Sequence, residues 1–259
     1  MGCQKTLYEE LLPEEFVERI NAFPVAYLPL GTLEWHGLHL PLGADGLQAR
    51  GVFQRIAADA GGIVLPMLFL GPDREVERDG KVYYGMDFLS FDESDPQQLE
   101  GSAYHMPEGQ FAALLDTIVR DLARAGFKVV VGHGHGPSTD AFAGRAGAFL
   151  ERFGVRAYTL HDLGCSGDEG IQTDHAAANE TSLVMALRPD LVDLGRLAPD
   201  DAPVSVWGED PRTAASAARG AELVDKNRDL AVGKLKSIVA GFPPARRRID
   251  YRAAKNLLR

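Results

Sequence analysis

The sequence predicts an α/β fold, with a mainly parallel sheet flanked by helices in a three-layer αβα arrangement. Two observations carry this. Short apolar runs of strand length alternate with longer stretches of helical periodicity, and that rhythm requires right-handed crossovers between parallel strands. The 259 residues are 45% apolar and 25% charged, an ordinary globular balance. That length suits one large domain spanning residues 1–259.

The elements follow in order. "PVAYLPLG" (24–31) reads as a buried strand, and "DGLQARGVFQRIAADAG" (45–61) has helical spacing that stops at paired glycines. "GIVLPMLFLG" (62–71) is a second strand. The long polar stretch 72–100 reads as an insertion, either a substrate loop or a subunit contact. Residues 107–126 form the clearest amphipathic helix, with Phe111, Leu114, Leu115, Ile118 and Leu122 on one stripe and Gly126 as its stop. "FKVVVG" (127–132) is a third strand, 138–154 a helix and "VRAYTL" (155–160) a fourth strand. A short helix at 180–187 and a long one at 212–242 complete the pattern, followed by a basic tail at 243–259. That tail reads as a solvated end or a subunit contact.

Bulk properties exclude several classes. A formal net charge of −10 argues against nucleic-acid binding. No apolar run is long enough to span a bilayer, so no membrane partner is expected. Two cysteines, Cys3 and Cys165, make no disulfide framework and read as free thiols in a reducing, cytoplasmic compartment. The opening "MGCQKT" formally fits a myristoylation pattern, but so short a pattern arises by chance, and it is read as incidental.

In parallel sheets, sites form beyond the carboxyl ends of strands. Three of the four segments that follow strands here are rich in acids and histidines. After the first strand, Glu34 and His36 lie two apart and share one side of an extended backbone, and Asp45 returns at a helix start. The competing reading makes Asp45 a helix cap and His36 a satisfied core histidine. After the third strand, His133 and His135 alternate among glycines and can share a face, one as a ligand and one as a donor behind it. The alternative is a glycine-rich turn with incidental histidines. The last segment carries Asp174, His175 and Glu180, whose two acids would by themselves suit a helix N-terminus. Taken together, the three segments read as walls of one site. Its mixed oxygen and nitrogen donors suit Zn, Mn or Fe better than Ca.

These segments resemble the creatininase (creatinine amidohydrolase) family. "PLGTLEWHGLHLPLGAD" is similar to its Gly-[ST]-x-Glu-x-His-Gly-x-His-Leu-Pro signature, and "GFKVVVGHGHGP" to its strand ending in Asn-Gly-His-Gly-Gly-Asn. "DHAAANETS" resembles its His-Ala-Gly-x-x-Glu-Thr-Ser element, and "GSAYHMPEGQFAALL" the stretch before its helix. The resemblance implies an α/β metal-dependent hydrolase of a small molecule, homo-oligomeric and often hexameric. It implies two divalent metal ions per chain and a bridging water. Glu34, His36, Asp45 and His135 would hold the metals, Asp45 bridging them, with His133 as the alternative histidine. His175 would be a general acid/base. Glu180 would be a further ligand or orient His175. Gly136 and Asp174 are expected to line the substrate.

Departures narrow the expectation. Creatinine-cleaving members carry an aromatic residue and a Glu after the strand histidine, where this chain has Gly136 and Pro137. They carry Trp-Asp-Gly-Gly before the His-Ala pair, where this chain has "IQTD". The expected reaction is therefore C–N hydrolysis in a small cyclic amide-like substrate other than creatinine. The alternatives are ring opening of an oxidised cyclitol or sugar-like substrate and, in another class, a non-catalytic metal-binding or ligand-sensing protein.

Overall fold

A computed structural model describes residues 5–88, 96–200 and 202–244. Cys3 with the myristoylation-like start, part of the predicted insertion and most of the basic tail lie outside the described residues. Four parallel strands form the central sheet: β1 (Val25–Leu30), β2 (Ile63–Val64), β5 (Val129–Gly134) and β6 (Arg156–Tyr158), in the order β2-β1-β5-β6. β1 and β5 are in register from Val25↔Val129 to Leu30↔Gly134, so their carboxyl ends stop side by side.

Period-two alternation splits the core into two layers. Val25, Tyr27, Val129 and Val131 face one side. There α2 (Ala44–Ala60) packs through Val52, Phe53 and Ile56, and α8 (Ala217–Ala240) through Leu223, Val224 and Leu235. Ala26, Leu28, Leu30 and Val130 face the other. That side is covered by α1 (Pro13–Ala22) through Ile20, α3 (Glu108–Ala125) through Phe111, Leu115 and Val119, and α5 (Ala146–Phe153) through Phe149. The structure is thus α/β with a parallel sheet flanked by helices. Among the described residues, no helix is long and apolar enough to cross a membrane.

Several elements differ from expectation for identifiable reasons. The second predicted strand shrinks to two residues because Pro66 has no N–H to give the ladder. The chain nonetheless keeps following β1, with Leu68 N–H donating to the Pro29 carbonyl at 3.0 Å and Gly31 N–H to the Leu68 carbonyl at 2.8 Å. The helix predicted at 138–154 is two helices, α4 (Gly136–Ala143) and α5, broken at Gly144 and Arg145. Arg145 there turns its guanidinium to Asp116 at 2.9 Å. The helix predicted at 212–242 is also divided, into α7 (Pro211–Ala214) and α8, because Ser216 takes up a cap geometry and accepts the Arg219 N–H. α6 spans Ala178–Leu187. α1 was not expected; Pro13 opens it, and the Glu15 carboxylate accepts the Leu12 N–H at 2.7 Å.

The predicted insertion holds an antiparallel hairpin, β3 (Glu75–Arg78) and β4 (Lys81–Tyr84). Asp79 and Gly80 at its tip have φ of 53° and 73°, the two positive values that a type I′ turn needs. "EVERDGKVYY" carried that signal.

Candidate metal centre

The centre sits at the adjacent carboxyl ends of β1 and β5. Beyond β1 the chain loops back, the Glu34 N–H donating to the Leu42 carbonyl at 3.0 Å. This buries Glu34 and His36 beneath the loop. Asp45 follows as the second residue of α2, where the helix dipole favours an anion; the cap position belongs to Gly43. At the last residue of β5, Gly134 has φ 144°, and a Cβ there would collide with the Leu30 carbonyl. Only glycine lets the two strand ends close up, with the His135 N–H reaching the same carbonyl at 3.0 Å. Glu180 stands in the first turn of α6, again at a helix N-terminus.

The sequence-selected residues, joined by Asp73, meet in two adjoining groups. In the inner group, His36 Nε2 lies 3.4 Å from Asp45 Oδ2 and 3.8 Å from Glu180 Oε2. In the outer group, His135 Nε2 lies 3.7 Å from Glu34 Oε1 and 3.4 Å from Asp73 Oδ2. Each trio can offer ligand atoms within 4.8 Å of one another, as can Glu34, His36 and His175. His133 belongs to neither trio: it is buried edge-on to His161, 4.7 Å between ring centroids, with neither ring nitrogen hydrogen-bonded.

Fixed partners aim the donors. Gln48 donates to Glu180 Oε1 at 2.6 Å, and the Ala176 N–H to Oε2 at 2.6 Å. Gln172 donates to Asp45 Oδ1 at 3.0 Å. His36 Nδ1 lies 3.2 Å from the Glu34 carbonyl; a carbonyl only accepts, so Nδ1 donates and Nε2 is turned to the acids. His135 Nδ1 is held by Ser138 at 2.9 Å. Such backing of a ligand's other atom is the usual support of a metal site.

What remains unsatisfied fits a cation. His36 Nε2 and Asp45 Oδ2 are buried, face each other and have no hydrogen-bond partner. Leaving buried polar atoms unmet is costly. Charges tell the same story. Burial pushes Glu34 up to about 7 and Glu180 up to about 8, against the pull of His135 and His36 respectively. Burial opposes charge on His36, but Asp45 and Glu180 outweigh it and raise it to about 10. His135 rises to about 9, burial again being outweighed, chiefly by Glu34. Asp45 falls below the carboxylate range because His36 overcomes its burial. Clustered acids need positive charge nearby, and here protons occupy the role that a metal ion would take.

His175 is of a different kind. Burial and the neighbouring His36 lower it to about 3, so it is a neutral imidazole, its ring stacked on His36 at 4.4 Å. Its Nε2 donates to the Trp35 carbonyl at 3.0 Å, leaving Nδ1 as the acceptor. Asp174, next to it in sequence, does not orient this ring: its carboxylate accepts the N–H groups of Asn179 and Glu180, at 2.7 and 3.0 Å. His175 is instead gripped by a β-bridge to Trp207, whose ring lies 5.2 Å away.

A cleft of about 410 Å³ opens over both groups. Gly136 and Asp174 line it, as do Arg74, Asp140, Gln172 and Trp207. Sequence reasoning missed Asp73, Gln48, Gln172, Ser138 and Trp207. Of these, only Asp73 had a signal, since it begins the loop at the end of the second predicted strand.

Known proteins agree with this architecture. The Creatininase family model, described as creatinine amidohydrolase, matches residues 9–232. A Pseudomonas putida creatinine amidohydrolase is 29% identical over 208 residues, 73% of this chain and 74% of its own length. A crystal structure of creatinine amidohydrolase has a TM-score of 0.70 at 24% identity, covering 94% of this chain and 100% of that one. A mutant creatininase of Zn–Zn type has a TM-score of 0.69 at 23% identity, covering 91% and 99%. These two structural likenesses bear on the fold alone.

Proposed function

The chain belongs to the creatininase family of metal-dependent hydrolases, and from that premise we propose that it cleaves a C–N bond in a small cyclic amide-like molecule with the help of two divalent ions. The observation that carries the reading is the pair of adjoining donor groups, with His36 Nε2 and Asp45 Oδ2 of the inner group buried 3.4 Å apart and without a hydrogen-bond partner. Glu34 and His135 would hold one ion, His36 and Glu180 the other, with Asp45 between the two. Zn, Mn or Fe suits these donors. Bound there, such ions supply Lewis acidity and bring the pKa of water towards neutrality.

The chain's own groups do the rest. Neutral His175 accepts a proton at Nδ1 from the attacking water and passes it to the departing amine. Its bond to the Trp35 carbonyl keeps the ring in that tautomer. Gly136 offers no side chain at the cleft wall, and Asp174 presents a polar edge. With Gly136 and Pro137 where creatinine-cleaving members carry other residues, we expect little creatinine turnover.

One observation favours a second reading, ring opening of an oxidised cyclitol or sugar-like substrate. Gln172 Oε1 and both nitrogens of His133 lack hydrogen-bond partners, and both residues line the cleft. Hydroxyl groups would meet them. The proposal includes a cytoplasmic homo-oligomer built from one domain.

Elemental analysis of protein purified without chelator, followed by a hydrolysis screen over cyclic amides, lactams and cyclic ketones, tests the proposal. Two metal ions per chain and turnover of a cyclic amide are expected. A chain that takes up no metal, or rapid creatinine hydrolysis, would overturn it in whole or in its substrate part.

A further inference from the structure

We infer that Asp73, delivered by the hairpin insertion, is a third protein ligand to the divalent ion held by Glu34 and His135; this rests on the two-ion reading above. The site-forming motifs contain no such residue. Three observations carry it.

The first is direction. His135 is anchored through Nδ1 to Ser138, so Nε2 is the nitrogen free to meet an ion. Asp73 Oδ2 lies 3.4 Å from that same nitrogen, on the side where Glu34 also lies. Asp73 is therefore on the ion's side of the ring, not behind it. Its other oxygen accepts the Arg74 N–H at 2.7 Å, which leaves Oδ2 for the site.

The second is a pair of acids around one ring nitrogen. The Glu34 side chain is 8% exposed, and its Oε1 stands 3.7 Å from His135 Nε2, beyond hydrogen-bond distance. A buried acid beside a second acid calls for a cation. Glu34, Asp73 and His135 can bring one atom each within 4.8 Å of one another.

The third is construction. The hairpin closes with the Gly85 N–H on the Arg74 carbonyl at 2.9 Å, laying Gly85 against Asp73. Gly85 has φ 47°, and a Cβ at that position would collide with the Asp73 carboxylate. The base of the hairpin is tied to the body by Glu75 and His105 at 2.7 Å and by Tyr84 stacked on His105 at 5.0 Å. The insertion thus holds one carboxylate in one place.

The test is calorimetric titration of the metal-stripped full chain with Zn²⁺. Wild type should show two sites. Asp73→Asn should keep one at wild-type affinity and weaken the other by at least about tenfold, the scale on which loss of support acts at metal sites. Gly85→Ala, with Asp73 intact but displaced, should weaken the same site, and it decides the matter if Asp73→Asn does not fold. Two unchanged affinities in the variant that folds overturn the inference and leave the two-ion reading standing. A wild-type chain without two sites overturns both.

Discussion

The inner group, His36–Asp45–Glu180, and the outer group, Glu34–His135–Asp73, use the same donor chemistry but are supported in different ways. The inner acids stand in the first turns of α2 and α6, and amide side chains from Gln48 and Gln172 grip them. All three inner residues are buried. The outer group hangs on loops: Glu34 beyond β1, His135 beyond β5 and Asp73 at the foot of a hairpin, partly open to the cleft. The difference is one of support: helix first turns and amide side chains hold the inner acids, whereas strand-end segments and the hairpin hold the outer ones, of which Asp73 is the more exposed at 17%.

The most severe test is Asp45→Ala. If Asp45 belongs to both halves, the variant loses both metals and its turnover, read by elemental analysis and assay. Loss of one metal only would show that the halves are independent. His175→Ala should lower turnover by roughly 10²- to 10⁴-fold, the span of one general acid/base, while metal content stays intact. A variant stripped of metal would instead make His175 a ligand, and the proton carrier would have to be sought first at His133.

Gln48→Ala sharpens the comparison. It should weaken the inner ion by about 10- to 100-fold and leave the outer one unchanged, as separate steps in a Zn²⁺ titration. Equal weakening of both would erase the distinction.

Metal-free protein offers a pH test. His36 and His135 are raised from 6.5 to about 10 and 9, so the folded chain holds protons that the unfolded chain has released. That stabilisation is complete below pH 6.5 and is lost as pH climbs through 9 to 10. Glu34 and Glu180, also raised, act with the same sign from their unfolded value of 4.5 upward to about 7 and 8. The thermal midpoint of stripped protein should fall from pH 6.5 to pH 10, whereas metal-loaded protein, with cations in place of those protons, should hold its midpoint. Parallel curves would argue against metal in either half. The smallest effect is expected of Trp207→Ala, which should raise KM by about 2- to 10-fold, the worth of one aromatic contact, with metal content unchanged.

Much of the site was legible along the chain. Glu34 and His36 share a side because extended backbone repeats every two residues, and Asp45 and Glu180 announce themselves as acids at helix starts. Their supports were not legible: Gln48 and Gln172 are ordinary polar residues until a tertiary contact points them at a carboxylate. Trp207 is likewise silent in sequence, since only the bridge between its backbone and that of His175 brings its ring to the cleft.

Local rules reach as far as backbone geometry stays regular. Apolar periodicity by itself determined the layered α/β architecture, and residue type at the strand ends determined that acids and histidines gather there. It also predicted that His133 and His135, two apart, could share a face. Both line the cleft, but tertiary structure gave them different neighbours: Gly134 turns to φ 144° to let β5 close on β1, and His133 meets His161 while His135 meets Glu34. Asp73 joins them only because a hairpin folds back over Gly85. Both outcomes depend on which strands and loops lie side by side, and that is settled by packing of the whole chain rather than by the spacing of any segment.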